Sequence, residues 1–249
     1  MNAIVLCGGR GSRLRADGIE TEKPLVEVCG QQMLGRVHRA LAGSRVGTIH
    51  AAVSPEAPET REYARERFDS VVETAGEGYV ADLETALDAV GRPVLTVAAD
   101  LPLLVPGVVD RVLSVAERAG TDGDGDLGSD VSLPSITVCV PTAVKRRLGG
   151  SIDATIPADV VESATFVGSS IDSGTVEQYS DGGGDVEQHP DEGREIEQRP
   201  GEERTVTLSP TGVNVVGDPR NNMWVSHDVR LTVNGNRSSD VELAEALCT

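Results

Sequence analysis

The sequence predicts an α/β fold: a doubly wound, mostly parallel sheet covered by helices on both faces. Three observations carry that reading. Short apolar runs alternate with helical stretches through the first half of the chain. The first run, Ala3-Ile4-Val5-Leu6, stops at a glycine-rich loop, Cys7-Gly8-Gly9-Arg10-Gly11-Ser12-Arg13-Leu14. A later run, Val97-Ala98-Ala99, ends in Asp100-Leu101-Pro102. Ligands of such sheets gather beyond the carboxyl ends of the strands, so the loop and Asp100 belong at one rim.

Strands are expected over 2–7, 48–53, 70–73 and 93–98, and helices over 31–42, 59–68, 79–90 and 107–119. In the helix over 31–42, Met33, Leu34, Val37 and Leu41 share one face, and Gly43 ends it. Leu83, Ala86, Leu87 and Val90 repeat the pattern before Gly91. Pro106 sits where a first helical residue belongs, and Gly120 closes that helix. A strand over 131–140 and a short helix over 142–148 follow. The tail reads as a strand from Val206 to Val216, then a pair formed by Trp224-Val225 and residues 229–233. Ser239-Asp240-Val241-Glu242 is a capping box, opening a last helix with Val241, Ala244 and Leu247 inward.

The 249 residues are expected to form a single domain with two interruptions. Residues 120–130 alternate Asp and Gly and read as an acidic linker; the terminal Glu of a calcium-binding EF-hand is missing. Within 168–205, Val176-Glu177-Gln178, Val186-Glu187-Gln188 and Ile196-Glu197-Gln198 recur at a period of ten. Copies with one apolar residue each bury too little surface to order themselves. This segment reads as a low-complexity, disordered, acidic insertion. A partner-binding or salt-solubilising role is the alternative.

Forty acidic against 22 basic residues give a formal charge of −18, with a pI near 4.5. That argues against nucleic acid or an anionic membrane as the main partner. Lysine occurs only at positions 23 and 145. An acidic, lysine-poor surface is similar to that of proteins from salt-accumulating halophiles, where salt screens the repulsion between carboxylates. Cys7, Cys29, Cys139 and Cys248 are scattered, so neither a zinc site nor a disulfide framework is expected. No signal peptide or membrane span is visible, which points to a cytoplasmic protein.

The glycine loop carries the chemistry. Three glycines let a backbone turn tightly and present its N–H groups to an anion. Arg10, Arg13, Arg15 and Lys23 add countercharge within fourteen residues. The spacing is not that of a Walker loop, because Ser12 and not Lys follows Gly11. Nor is it the dinucleotide fingerprint, because Leu14 stands where a small residue is needed and no acid follows the second strand. Asp100, a carboxylate at a strand end, is the candidate Mg²⁺ ligand, since Mg²⁺ takes one or two carboxylates plus substrate phosphates. A turn-opening Asp is the alternative. No Gly-x-Ser-x-Gly elbow or histidine ligand spacing is present.

Gly-Gly-x-Gly-Ser-Arg-Leu followed by Glu22-Lys23-Pro24-Leu25 resembles the signature of the nucleotidyltransferases related to molybdenum-cofactor guanylyltransferase. Ser54-Pro55, Glu73-Thr74-Ala75-Gly76, Gly78-Tyr79-x-x-Asp82-Leu83, Pro210, Gly212-Val213-Asn214 and Asn234 with Asp240–Glu245 are similar to the archaeal GTP:adenosylcobinamide-phosphate guanylyltransferases. That resemblance implies a nucleotide-diphospho-sugar-transferase-like fold. The implied reaction moves GMP from GTP to adenosylcobinamide phosphate, with release of pyrophosphate, in cobalamin biosynthesis. It also implies a Mg²⁺ requirement and two small-molecule partners; the sequence leaves monomer and homodimer open. By the resemblance, Leu6, Gly8, Gly9, Arg10, Gly11 and Ser12 bind the nucleotide, with the N–H groups of Gly8 to Ser12 cradling the triphosphate. Arg13 and Lys23 steady the phosphates, and Asp100 holds Mg²⁺. Ser54, Thr74, Gly76 and Gly78 lie near the guanine, and Asn214 near nucleotide or acceptor. A tight loop at Gly76–Gly78 and a buried strand amide at Asn214 are the plain alternatives. Transfer to molybdopterin or to a sugar phosphate, and a non-catalytic GTP-binding module, are the competing functions.

Overall fold

The computed structural model describes residues 1–121, 133–167 and 207–248. The repeats within 168–205 and residues 122–130 of the acidic linker lie outside them. Parallel strands β1 (Asn2–Leu6), β4 (Ile49–Val53), β5 (Ser70–Glu73) and β6 (Val94–Ala98) form one half of the sheet. β7 (Pro134–Pro141), β8 (Thr165–Phe166) and β10 (Asp218–Val225) form the other. β9 (Leu208–Val216) runs antiparallel between β6 and β7 and joins the halves, giving the order β5-β4-β1-β6-β9-β7-β10-β8. A small antiparallel hairpin, β2 (Glu27–Val28) and β3 (Gln31–Gln32), stands apart.

Alternation along the strands builds two cores. Ala3, Val5, Leu95, Val97, Val213 and Val215 face α2 (Met33–Ala42), α3 (Pro58–Arg67) and α5 (Pro106–Thr121). Ile4, Ala52 and Val94 face α4 (Tyr79–Val90), meeting Ala86 and Leu87. Leu34, Val37 and Leu41 of α2 are fully buried, each contributing about 1.5–3 kcal/mol. α5 does the same with Val108, Val109, Val112 and Val115. A satellite core of Leu14, Val28, Met33, Leu103, Val233 and Ala244 holds α8 (Ser238–Leu247) against the hairpin. Among the described residues, no helix is long and apolar enough to cross a membrane.

Several expectations need correction. Residues 229–233 are not a strand; Val229–Leu231 is a 3₁₀ turn. Asp228 accepts from the Arg230 backbone N–H and pairs with its guanidinium, a local hydrogen-bond set that competes with a ladder. α8 begins two residues earlier than expected, with Arg237 and not Ser239 at the N-cap, and its first turn is tied by Asp240, which accepts from the Arg237 N–H. Val241 and Ala244 turn inward as expected, but Leu247 is exposed. The first helix after the glycine loop, α1 (Ser12–Ala16), and α7 (Ala158–Ser163) carry too few residues to show a period.

Cys7 and Cys139 are buried thiols, the latter pushed up to about 12 by burial. Cys29 and Cys248, in contrast, form a disulfide across 219 residues, contrary to the expectation of none. The pairing depends on α8 folding back onto the β2–β3 turn, a tertiary event with no trace in cysteine spacing.

Candidate active site

β1 and β6 are paired neighbours in parallel register, Leu6 opposite Ala98, and the Ala99 N–H donates to the Leu6 carbonyl. The glycine loop and Asp100 therefore leave the sheet side by side. Gly11 takes a left-handed φ of 62°, and a Cβ there would stand 3.0 Å from the Lys23 Cβ. The same lysine stem passes 3.8 Å from where a Gly9 Cβ would be. Its ammonium then reaches Asp100 Oδ2 at 2.5 Å and also donates to Asn236 Oδ1. Among the described residues, the backbone N–H groups of Gly8 to Ser12 have no hydrogen-bond partner.

Glu22 fixes the Lys-Pro turn from the other side. Its carboxylate accepts from the Glu59 and Thr60 N–H groups at 3.0 and 2.7 Å, where α3 begins. A cavity of about 430 Å³ opens between this turn, Gly9, Arg10 and Arg15 of the loop, and Ser54, Glu56 and Ala57 after β4. Arg10 pairs with Glu56 across its mouth at 2.9 Å.

The wall beyond Ser54 is close-packed. A Cβ on Gly8 would lie 3.0 Å from Asp82 Oδ2, and one on Gly76 3.4 Å from the Ser54 Cβ. Asp82 in turn accepts from the Gly76 N–H at 2.9 Å. Thr74 is buried, and its hydroxyl has no partner among the described residues. A buried, unpaired hydroxyl beside glycine backbone is suited to a polar ligand edge. Gly78, at φ 121°, turns the chain into α4.

Residues from the tail complete the floor around Asp100. The Gly235 N–H donates to the Asp100 carbonyl at 2.9 Å. Asn234 Nδ2 donates to the Thr211 carbonyl at 3.0 Å and to Asp100 Oδ1 at 3.4 Å, while Lys145 donates to Asn234 Oδ1 at 3.0 Å. Arg36, from α2, donates to the Pro102 carbonyl at 2.5 Å and holds the turn after Asp100. Arg13 points toward the tail as well. It pairs with Asp153 at 3.1 Å, and Arg237 approaches the same carboxylate oxygen at 3.7 Å.

The structure thus gathers Gly8, Gly9, Gly11, Lys23 and Asp100 at one rim, with Ser54, Thr74 and Gly76 on the adjoining wall. It does not join Asn214 to that group. Asn214 lies mid-strand, paired in register with Thr96, its amide 3.5 Å from the Thr96 hydroxyl. Leu6 contributes packing to the α4-side core. Asn236, Arg36 and Asp153 are not signalled by the sequence, and Asp82 enters there only within the Gly78–Leu83 motif. Asn234 was noted only within the tail motif, and Lys145 only in a count of lysines. Among the described residues, no group of three or more His, Cys, Asp or Glu is placed to hold a metal. Asp100 with neighbouring amides is an oxygen-donor set of the sparse kind that Mg²⁺ shares with phosphates.

Residues 3–126 match the MobA-like NTP transferase domain family. An adenosylcobinamide-phosphate guanylyltransferase from Methanocaldococcus jannaschii is 31% identical over 118 residues, covering 45% of this chain and 58% of that protein. The chain therefore matches little more than half the length of that relative. A structure described as a hypothetical transferase from Thermus thermophilus aligns at TM-score 0.45 and 18% identity, covering 87% of this chain and 65% of that one. A nucleotidyl transferase from Methanothermobacter aligns at TM-score 0.42 and 20% identity, covering 62% of this chain and 63% of that one.

Proposed function

We propose, on the match of residues 3–126 to the MobA-like NTP transferase domain family, that the chain is a guanylyltransferase moving GMP from GTP to adenosylcobinamide phosphate, with release of pyrophosphate. The single observation that carries the reading is Lys23, whose stem packs on the glycine loop while its ammonium rests on Asp100. A triphosphate seated on the loop would lie beside Asp100, the carboxylate proposed for its metal. The likeness to the Methanocaldococcus enzyme supports the choice of acceptor.

In this mechanism a phosphate oxygen of the acceptor attacks the α-phosphorus of GTP in line. A P–O bond forms there, and the bond from the α-phosphorus to the α,β-bridging oxygen breaks. The acceptor is already an anion, so no strong general base is required. Catalysis is alignment and charge stabilisation. The N–H groups of Gly8 to Ser12 would bind the β- and γ-phosphates, with Arg10 and Arg13 at the leaving end. Lys23 would leave Asp100 for the α-phosphate. Ser54, Thr74, Gly76 and Gly78 would line the base side, the unpaired Thr74 hydroxyl being free to bond it. Mg²⁺, when bound, would neutralise charge on the phosphate oxygens. Asp100 would hold it, with the Asn236 amide oxygen within reach of the same carboxylate's partner, Lys23.

The test is pyrophosphate release from GTP with adenosylcobinamide phosphate, molybdopterin or a sugar phosphate as acceptor. Release with the first alone is expected. Release only with another acceptor would overturn the assigned substrate, and release with none would overturn the enzyme.

A further inference from the structure

We propose that Lys145 is a positioning residue for this reaction, holding Asp100 in place through the amide of Asn234. The inference rests on the nucleotidyl-transfer reading of the site and extends it to a residue outside the glycine loop and its motif.

The chain has 20 arginines and two lysines. Those two lysines bracket one carboxylate. Lys23 contacts Asp100 Oδ2 directly. Lys145, in α6 (Thr142–Leu148), reaches Asp100 Oδ1 through Asn234. A lysine has only donors to offer, so Asn234 must turn Oδ1 toward it. Nδ2 is then committed to the Thr211 carbonyl and to Asp100 Oδ1. Turning the amide over would set its oxygen against Asp100 Oδ1 and leave Thr211 without its donor. Lys145 and Thr211 thus fix the amide in the one sense that supports Asp100.

Lys145 is only 4% exposed. A buried ammonium is costly unless it is paired, and packing alone would be served by Met or Leu. Burial pulls its pKa below the usual lysine range, and the carboxylates of Asp240, Asp100 and Asp153 act in the opposite sense. Asp240 is itself fully buried and engaged with the Ser151 N–H and hydroxyl and the Arg237 N–H. The hydrogen bond that Lys145 makes directly goes to Asn234. Arginine, used at all the Lys/Arg positions but these two, carries a wide planar fork in place of a point charge and does not suit a site this closed.

The test uses Lys145→Met in the full chain. Mn²⁺ binding in the presence of α,β-methylene-GTP is followed by the electron-spin-resonance signal of free Mn²⁺, and nucleotide binding in EDTA by calorimetry. Loss of an outer partner of a metal ligand typically weakens metal binding by about 10-fold or more, and that loss is expected here with binding in EDTA unchanged. Lys145→Arg should not restore it. In an Asn234→Ala background, Lys145→Met should weaken Mn²⁺ binding no further, because the two residues act in series. Full Mn²⁺ affinity in Lys145→Met, or losses that simply add in the double variant, would overturn the proposal. Should Lys145→Met fail to fold, Lys145→Gln, which keeps an N–H donor, is compared with the wild type; Gln should retain affinity that Gln combined with Asn234→Ala loses. Wild-type protein that releases pyrophosphate while Lys145→Met matches it defeats this inference alone. Wild-type protein that neither binds Mn²⁺ with nucleotide nor releases pyrophosphate defeats the functional reading and this inference together.

Discussion

Lys23 Nζ and Asp100 Oδ2 lie 2.5 Å apart, 77 residues from one another in the chain. Each side chain is mostly buried at the contact, so neither charge is well solvated and each compensates the other. A cation already occupies one carboxylate oxygen before substrate arrives. On the proposed reading, a phosphate that draws Lys23 away would free that oxygen for metal and so couple triphosphate binding to metal binding. The coupling would follow because Lys23 packs on the loop with its stem and meets the carboxylate with its ammonium.

Asp100→Ala should lower turnover by about a thousandfold, while binding of GTP in EDTA falls little. Pyrophosphate release and calorimetry measure the two quantities. Equal losses in both would show that Asp100 serves binding and not the chemical step.

Gly11→Ala should be poorly tolerated. The residue would have to hold φ 62° and carry a Cβ 3.0 Å from that of Lys23. A left-handed non-glycine residue costs about 1–2 kcal/mol, read as a lower urea midpoint. Lys23 would shift with it, so turnover should fall further than stability alone explains. Gly107→Ala, where a Cβ meets open space, is the matched control.

The Cys29–Cys248 disulfide ties α8 to the hairpin, and α8 follows the segment bearing Asn234 and Asn236. Cys248→Ser, or reduction by dithiothreitol, should lower stability by about 2–4 kcal/mol. Denaturant unfolding with and without reductant checks this. A variant indistinguishable from oxidised wild type would show the link to be dispensable.

Asp228 gives a pH signature. The Arg230 guanidinium and N–H, then Arg111, hold its carboxyl below the usual aspartate range. Its unfolded value is about 3.9. The stabilisation is therefore complete above that pH and fades as pH falls through the lower folded value. Asp228→Asn should lose about 1–2 kcal/mol at pH 7, and the gap to wild type should narrow in acid. Urea midpoints at neutral and acid pH decide it; a gap that stays constant would contradict the pairing.

Much of the fold and one half of the site were legible in the sequence. β1, β4, β5 and β6 announced themselves as apolar runs, and α2 and α4 as periodic faces closed by Gly43 and Gly91. The convergence of the glycine loop with Asp100 followed from parallel strands ending at one rim. The other half was hidden because it comes from the tail. Asn234 meets Asp100, Lys145 meets Asn234 and Asn236 meets Lys23 in a fold where β9 lies between β6 and β7, an arrangement that no local pattern signals. Residues 229–233 misled for a related reason: alternating apolar residues suit a strand, but the Asp228 side chain captures the Arg230 N–H first. Cys29 and Cys248 pair only after α8 docks on the hairpin.

The most direct measurement of the central claim is a crystal structure grown with α,β-methylene-GTP and Mn²⁺, the metal located by its anomalous signal. The account predicts the triphosphate on the N–H groups of Gly8 to Ser12, the metal about 2.1 Å from an Asp100 oxygen, and Lys23 moved onto phosphate. Nucleotide bound away from the glycine loop, or metal bound without Asp100, would contradict it.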